Sequence, residues 1–214
     1  MSKKIMSGPG PGRPKDLAKR AAILQAAQSL FLSNGYEGTS MDAIATEAGV
    51  SKLTVYSHYT DKETLYAAAI RAVCEAQLPD IYIGELPRDD IGLTLERIGL
   101  AFCVLLDSPE SLALHRLLVG MAGQDAKLAE LFYEAGPQRV CDGMTQLLQQ
   151  ACARGELCID QPQEAARQFF TLLKGDNHFR LLIGYGEGMS EQERHLHVGG
   201  VVATFLRLYA VAGR

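Results

Sequence analysis

Apolar positions recur at helical spacing along nearly the whole chain, and no stretch shows the strict alternation of a half-buried strand. Ala22, Ile23, Ala26, Ala27, Leu30 and Phe31 form one stripe that stops at Asn34-Gly35, a pair suited to a left-handed helix end. Thr39 or Ser40 caps a second helix whose inner face is Met41, Ile44, Ala45 and Ala48, with Gly49 at its end. Ser51 caps a third, and Thr60-Asp61-Lys62-Glu63 reads as a capping box opening a fourth that carries Leu65, Ala69 and Val73. Two short helices separated by Gly49-Val50-Ser51 fit a helix-turn-helix.

Further along, Pro79 and Pro87 bracket an acidic connection, and Ile91 to Leu106 reads as a long apolar-rich helix. Ser108-Pro109 restarts a helix with Pro in its first turn, and Asp125 begins another stretch. Gly136-Pro137 interrupts before a helix ending near Arg154-Gly155. Gln161-Pro162 starts a helix running from Ala165 to Gly184, and Ser190 to Glu193 is a capping box for the last, to about Ala212. The expected fold is all-α, with about nine helices in total: a three-helix helix-turn-helix domain, residues 21–62, followed by a larger helical body, residues 63–214.

Placing the third helix at 100° per residue turns Val55 and Tyr59 inward, toward Ile44, Ala48 and Leu65, and Leu53, Thr54, Tyr56 and Ser57 outward. Lys52 stands in the first turn, where it can reach forward and where unpaired backbone N–H groups attract phosphate. Tyr56 and His58 can donate to phosphates, while Leu53 and Thr54 can touch base edges or a thymine methyl. That outer face suits a major groove.

Charge sharpens this picture. The net charge of −4 conceals a polarity: residues 1–62 hold eight Lys/Arg against five Asp/Glu, whereas the remainder holds thirteen against twenty. Residues 1–20 read as a basic, flexible arm, and Gly12-Arg13-Pro14-Lys15 is similar to arms that lay an arginine in a narrow minor groove. Arg13 and Lys15 are therefore candidate DNA contacts. The five cysteines form no CxxC pair, which suggests neither a disulfide framework nor a zinc site. With no apolar run of membrane-spanning length, a reduced cytoplasmic protein away from the membrane is expected.

From Ala21 to about Val73 the chain resembles the TetR/AcrR family of transcriptional repressors. The resemblance rests on FLSNGYEGTSMDAIATEAGVSKLTVYSHYTDKETLY: the Gly-Tyr before helix two, the Ala-Gly-Val-Ser turn, the Tyr-x-His-aromatic end of helix three, and the Lys-Glu that opens helix four. Leu53 departs from the small residue usual at its position. The resemblance implies that Thr39, Thr54, Tyr56, His58 and Lys62 hold phosphates or bases; with Ser51, Lys52, Leu53 and Ser57 they are the candidate contacts to double-stranded operator DNA. FFTLLKGDNHFRLLIG is similar to the C-terminal domain of the AefR-like subset.

The last two helices carry more apolar surface than one stripe needs. The resemblance implies a homodimer built on them, with Leu173, Phe179, Leu182, Val201, Val202, Phe205, Leu208 and Tyr209 at the interface and two recognition helices on a palindrome about one turn (~34 Å) apart. It also implies a pocket for a small apolar or amphipathic effector, with Phe102, Cys103, Leu106, His115, Leu118, Met121, Met144, Leu147, Phe170, Asn177 and His178 as lining candidates. The competing reading is a constitutive or redox-sensing DNA-binding regulator, given that Cys103, Cys141, Cys152 and Cys158 all fall in the body. Catalysis is not expected: there is no phosphate loop, dinucleotide fingerprint or Ser-His-Asp arrangement. Nor is a metal or cofactor, because His195 and His197, two apart, point to different sides of a helix.

Overall fold

A computed structural model describes residues 14–78, 90–120, 122 and 126–211. The chain divides into two compact units, Met1–Ala69 and Ile70–Arg214. The fold is all-α, and its helices are α1 (Pro14–Asn34), α2 (Met41–Glu47), α3 (Lys52–His58), α4 (Lys62–Gln77), α5 (Ile91–Asp107), α6 (Pro109–Gly120), α7 (Ala126–Tyr133), α8 (Arg139–Ala153), α9 (Pro162–Leu182) and α10 (Glu191–Tyr209).

In the first unit, α1 packs on α2 and α2 on α3. Ile23, Ala26, Ala27 and Phe31 of α1 are buried, as are Met41, Ile44 and Ala45 of α2, Val55 of α3 and Tyr59 beyond it. The inward faces read from periodicity therefore hold. Phe31, Tyr36 and Tyr66 form an aromatic cluster with ring centroids 5.1 to 5.8 Å apart. The bend of the helix-turn-helix depends on Gly49, whose φ of 63° disfavours a side chain. It leaves the Gly49 N–H on the Thr46 carbonyl and the Val50 N–H on the Ala45 carbonyl, the paired bonds of a Schellman ending.

Two boundaries differ from expectation, and one open alternative, the cap of α2, is decided. The first helix begins at Pro14, inside the stretch 1–20 read as an arm, because proline in a first turn has its φ already set for a helix and lacks only an N–H that would go unpaired there. Ser40 rather than Thr39 caps α2, accepting the Ala43 N–H. The carboxylate that accepts the Thr64 N–H, at 2.7 Å, is that of Asp61, so helix α4 is capped one residue later than the expected Thr60 start.

The second unit has one continuous core. It includes Leu95, Ile98 and Phe102 of α5, Met144 and Leu148 of α8, Phe169, Phe170 and Leu173 of α9, and Val198, Val202 and Phe205 of α10. Gly136-Pro137 does not interrupt the chain: Glu134–Gln138 is a π-helical turn that carries α7 directly into α8. A wider turn accommodates a proline ring that would otherwise meet the preceding turn's carbonyl. The capping box at Ser190 and Glu193 is present as expected.

Helix α9 is broken where the sequence gives an unbroken helix. Gly175 has φ 50° and ψ −157°, a conformation open essentially to glycine alone, and it separates two helical pieces. The Leu173 carbonyl beside the break accepts a hydrogen bond from His197 Nε2 of α10 at 2.9 Å, which fixes that imidazole in its Nε2–H tautomer. His195 turns instead to the Glu191 carbonyl of its own helix, so the two histidines do diverge.

Candidate nucleic-acid interface and effector site

Helix α3 owes its start to Ser51, whose Oγ accepts the Thr54 N–H at 3.1 Å and lies 2.8 Å from the Thr54 hydroxyl. With Val55 and Tyr59 turned inward, Leu53 is 82% exposed and Tyr56 42% exposed. Ser57 is exposed as well and donates to the Thr54 carbonyl at 2.7 Å, while Thr54 is half-buried. Leu53, Thr54, Tyr56 and Ser57 thus make one outward strip, as their spacing implies.

The basic residues are placed differently. Lys52 does not reach forward: its Nζ lies 2.8 Å from Asp42 Oδ1 and 2.9 Å from Oδ2, which raises its pKa by hydrogen bonding and charge. The pair is exposed, and such pairs contribute little and exchange readily. His58 faces α1, with Nε2 3.0 Å from Asp16 Oδ1 and a mostly covered imidazole. Lys62 Nζ donates to the Tyr36 carbonyl at 3.0 Å and stands 4.1 Å from the centroid of that ring.

Thr39 is buried, and its hydroxyl is directed at the Leu30 and Gly35 carbonyls at 3.0 and 2.8 Å. It ties the end of α1 to the approach to α2 and is not part of an outer DNA-facing surface. Lys15 lies in the first turn of α1, and Arg13 lies outside the described residues. Sequence reasoning missed Asp16, Tyr36 and Asp42 as partners. The only local signal was their type: two acids and an aromatic among few competing charges.

In the second unit, Phe102, Cys103, Leu106, Met144, Leu147 and Phe170 all belong to the continuous core, with the Phe102 and Phe170 rings 4.5 Å apart. Leu118 is half-buried on α6, and Met121 lies outside the described residues. Asn177 Nδ2 donates to Asp107 Oδ2 at 3.4 Å. Burial raises the Asp107 pKa, an effect that Arg194, His197 and Asn177 oppose.

Among the lining candidates outside this core, His115 and His178 come together. Their rings meet edge to face with centroids 5.3 Å apart, and His115 meets Phe132 in the same way at 5.6 Å. Nδ1 of each is buried without a hydrogen-bond partner. Burial, then His178 and Lys174, push His115 down to about 4. Burial, then Lys174, also lowers His178. The body's cysteines show the opposite sign for the same reason: burial pushes Cys74 and Cys103 up to about 11 and raises Cys141, which disfavours the thiolate.

The residues expected at a dimer interface fall into two groups. Leu173, Val201, Val202 and Phe205 are buried within the chain itself, because the inner stripes of α9 and α10 are consumed by α5 and α8. Phe179 and Leu208 are 60% and 65% exposed. Leu182 and Tyr209 are half-buried, and the Tyr209 hydroxyl donates to Gln168 Oε1 at 2.7 Å. Leu172 and Leu196, with Ile183 just past the end of α9, join Phe179 as exposed large apolar side chains.

Residues 23–69 match the family of bacterial regulatory proteins of the tetR type, and residues 93–211 match the C-terminal domain of AefR-like transcriptional repressors. The chain belongs to the TetR family of transcriptional regulators. It is 30% identical over 176 residues to the HTH-type transcriptional regulator YdeS of Bacillus subtilis, covering 80% of this chain and 82% of that one. A TetR-family regulator of Mesorhizobium loti superposes with a TM-score of 0.73 at 30% identity, covering 93% of this chain and all of the other. The flavonoid-responsive regulator FrrA superposes at 0.68 with 31% identity, covering 91% and 98%. TetR-family proteins are DNA-binding regulators and not enzymes. Among the described residues no helix is long and apolar enough to cross a membrane.

Proposed function

We propose that this TetR-family regulator is a cytoplasmic homodimeric repressor that binds a palindromic operator and is released by a small apolar or amphipathic effector. The observation that carries the DNA-binding part is the outward strip Leu53, Thr54, Tyr56 and Ser57 on a short helix held rigid by the Ser51 cap and by buried Val55. Leu53 serves no core, and an exposed leucine beside hydroxyls suits a groove with thymine methyls and acceptor edges. Residues 21–62 do the reading and residues 63–214 bind effector and partner. The exposed apolar side chains Leu172 and Phe179 on α9, Ile183 just past its end, and Leu196 and Leu208 on α10 support a two-fold pairing through these helices.

Helix α4 begins in the first unit and ends in the second, so it is the covalent link through which an effector state reaches the head. By linkage, an effector that favours the DNA-incompetent arrangement weakens operator affinity by the factor that operator weakens its own. The likeness to a flavonoid-responsive protein supports a small organic effector. Selection of bound duplexes from random DNA tests the reading: a two-fold palindrome supports a dimeric repressor, and an enriched site without internal symmetry contradicts it.

A further inference from the structure

Three aromatic rings from three helices make an edge-to-face series in the second unit: Phe132 of α7, His115 of α6 and His178 of α9, at interplanar angles of 88° and 84°. Native interiors rarely leave buried polar atoms without partners, yet two occur on adjoining rings of this series, Nδ1 of His115 and Nδ1 of His178, with ring centroids 5.3 Å apart. Lys174 is the cation that bears on both rings, and protonation of His115 is further opposed by His178. Burial and this cation keep both rings neutral near pH 7. A neutral imidazole offers one N–H and one bare acceptor nitrogen.

We propose that His115 and His178 form the recognition point for an aromatic effector bearing a phenolic hydroxyl. This deepens the effector reading above and rests on it. A hydroxyl both donates and accepts, so one oxygen can give its proton to one Nδ1 and receive from the other in its Nδ1–H tautomer. An ether oxygen can only accept. A carboxylate can only accept and brings a full charge into a buried site whose imidazoles are neutral, and an amine is repelled by Lys174. A phenol is a stronger donor than an aliphatic alcohol, its oxygen is favoured by the Lys174 potential, and its ring continues the edge-to-face series.

Both Nδ1 atoms are covered, so entry parts α6 from α9. These helices are held together by Arg116 Nε, which donates to the Leu182 carbonyl at 2.8 Å. Effector binding on this site is therefore a rearrangement of the body.

Full-length protein titrated with 2-naphthol, 2-methoxynaphthalene and 2-naphthoate, followed by naphthalene fluorescence, tests the assignment. The expected result is that 2-naphthol binds at least about tenfold tighter than the methyl ether, one satisfied pair of buried hydrogen bonds. That preference should fall below about twofold in His115→Phe and His178→Phe, since neither phenylalanine offers a nitrogen. Both variants should melt no lower than the parent, because each removes an unpartnered buried atom; a purely structural histidine would cost stability. In the unmutated protein, bound 2-naphthol should move the imidazole 15N resonances of both histidines, a readout independent of whether the variants fold. Equal affinity for 2-naphthol and its ether, tighter binding of 2-naphthoate, or unmoved imidazole resonances overturn the proposal. Release from the selected operator duplex is measured separately. If 2-naphthol binds at the histidines but operator is retained, the repressor reading fails while this site stands. If hydroxyl-free compounds release operator and 2-naphthol does not bind, the site fails while the repressor reading stands.

Discussion

Lys62 sits on Tyr36, with its ammonium 3.0 Å from the carbonyl oxygen and 4.1 Å from the ring centroid. A lysine at the start of α4 looks from sequence like a phosphate anchor, but here it closes the first unit by joining α4 to the turn after α1. Lys62→Ala should therefore destabilise the head by about 1–2 kcal/mol, the sum of one modest hydrogen bond and one cation–π contact. It should leave the salt dependence of DNA binding unchanged. Urea melts and binding isotherms at several salt concentrations check both, and a slope reduced by about one would return Lys62 to the DNA footprint.

Asp42 holds the Lys52 ammonium at 2.8 Å, and on the proposed reading it competes with DNA for it. Asp42→Asn should release the ammonium, tighten binding to any duplex sequence, and steepen the salt slope by up to about one. Stability should change by less than about 1 kcal/mol, because both partners are exposed. Fluorescence anisotropy on operator and on scrambled duplex makes the comparison; weaker binding of the variant to both would show that Asp42 positions Lys52 rather than occupying it.

Substitutions on α9 and α10 should separate by face. Phe179→Glu and Leu196→Glu should give folded monomers with weak operator binding, since both side chains point away from their own chain's core. Phe205→Glu and Leu173→Glu should unfold the second unit, because a carboxylate in that interior costs several kcal/mol. Sedimentation together with circular dichroism distinguishes the cases. Intact dimers for both surface variants would move the interface elsewhere.

Acid should destabilise the body through His115. Its folded pKa, about 4, lies below the ordinary 6.5, so the unfolded chain takes up the proton first. The contribution is fully present above pH 6.5 and is lost as pH falls toward 4, by at most about 3 kcal/mol. His115→Phe should flatten that part of the stability curve, measured as urea midpoints from pH 7 to 4. A parallel curve for the variant would assign the acid sensitivity to other groups.

What the sequence determined by itself was local. Helix stripes, the Gly49 turn, the Ser51 and Ser190 caps and the inward aim of Val55 and Tyr59 all follow from contacts within a turn or two, where spacing along the chain equals placement in space. The family resemblance was legible for the same reason, since its motif lies within one contiguous stretch. Tertiary structure decided whatever required a partner from far away. Periodicity places Lys62 on a helix face but cannot say that Tyr36, 26 residues earlier, lies across from it. It gives α9 and α10 apolar surface in excess but not which stripe their own chain consumes, so Leu173 and Phe205 read like Phe179 until α5 covers them. It also gives two histidines in an apolar helical body, with nothing to show that their rings meet or that their Nδ1 atoms lack partners. Those facts depend on how α6, α7 and α9 pack, because hydrogen-bond satisfaction is a property of the assembled interior and not of any segment.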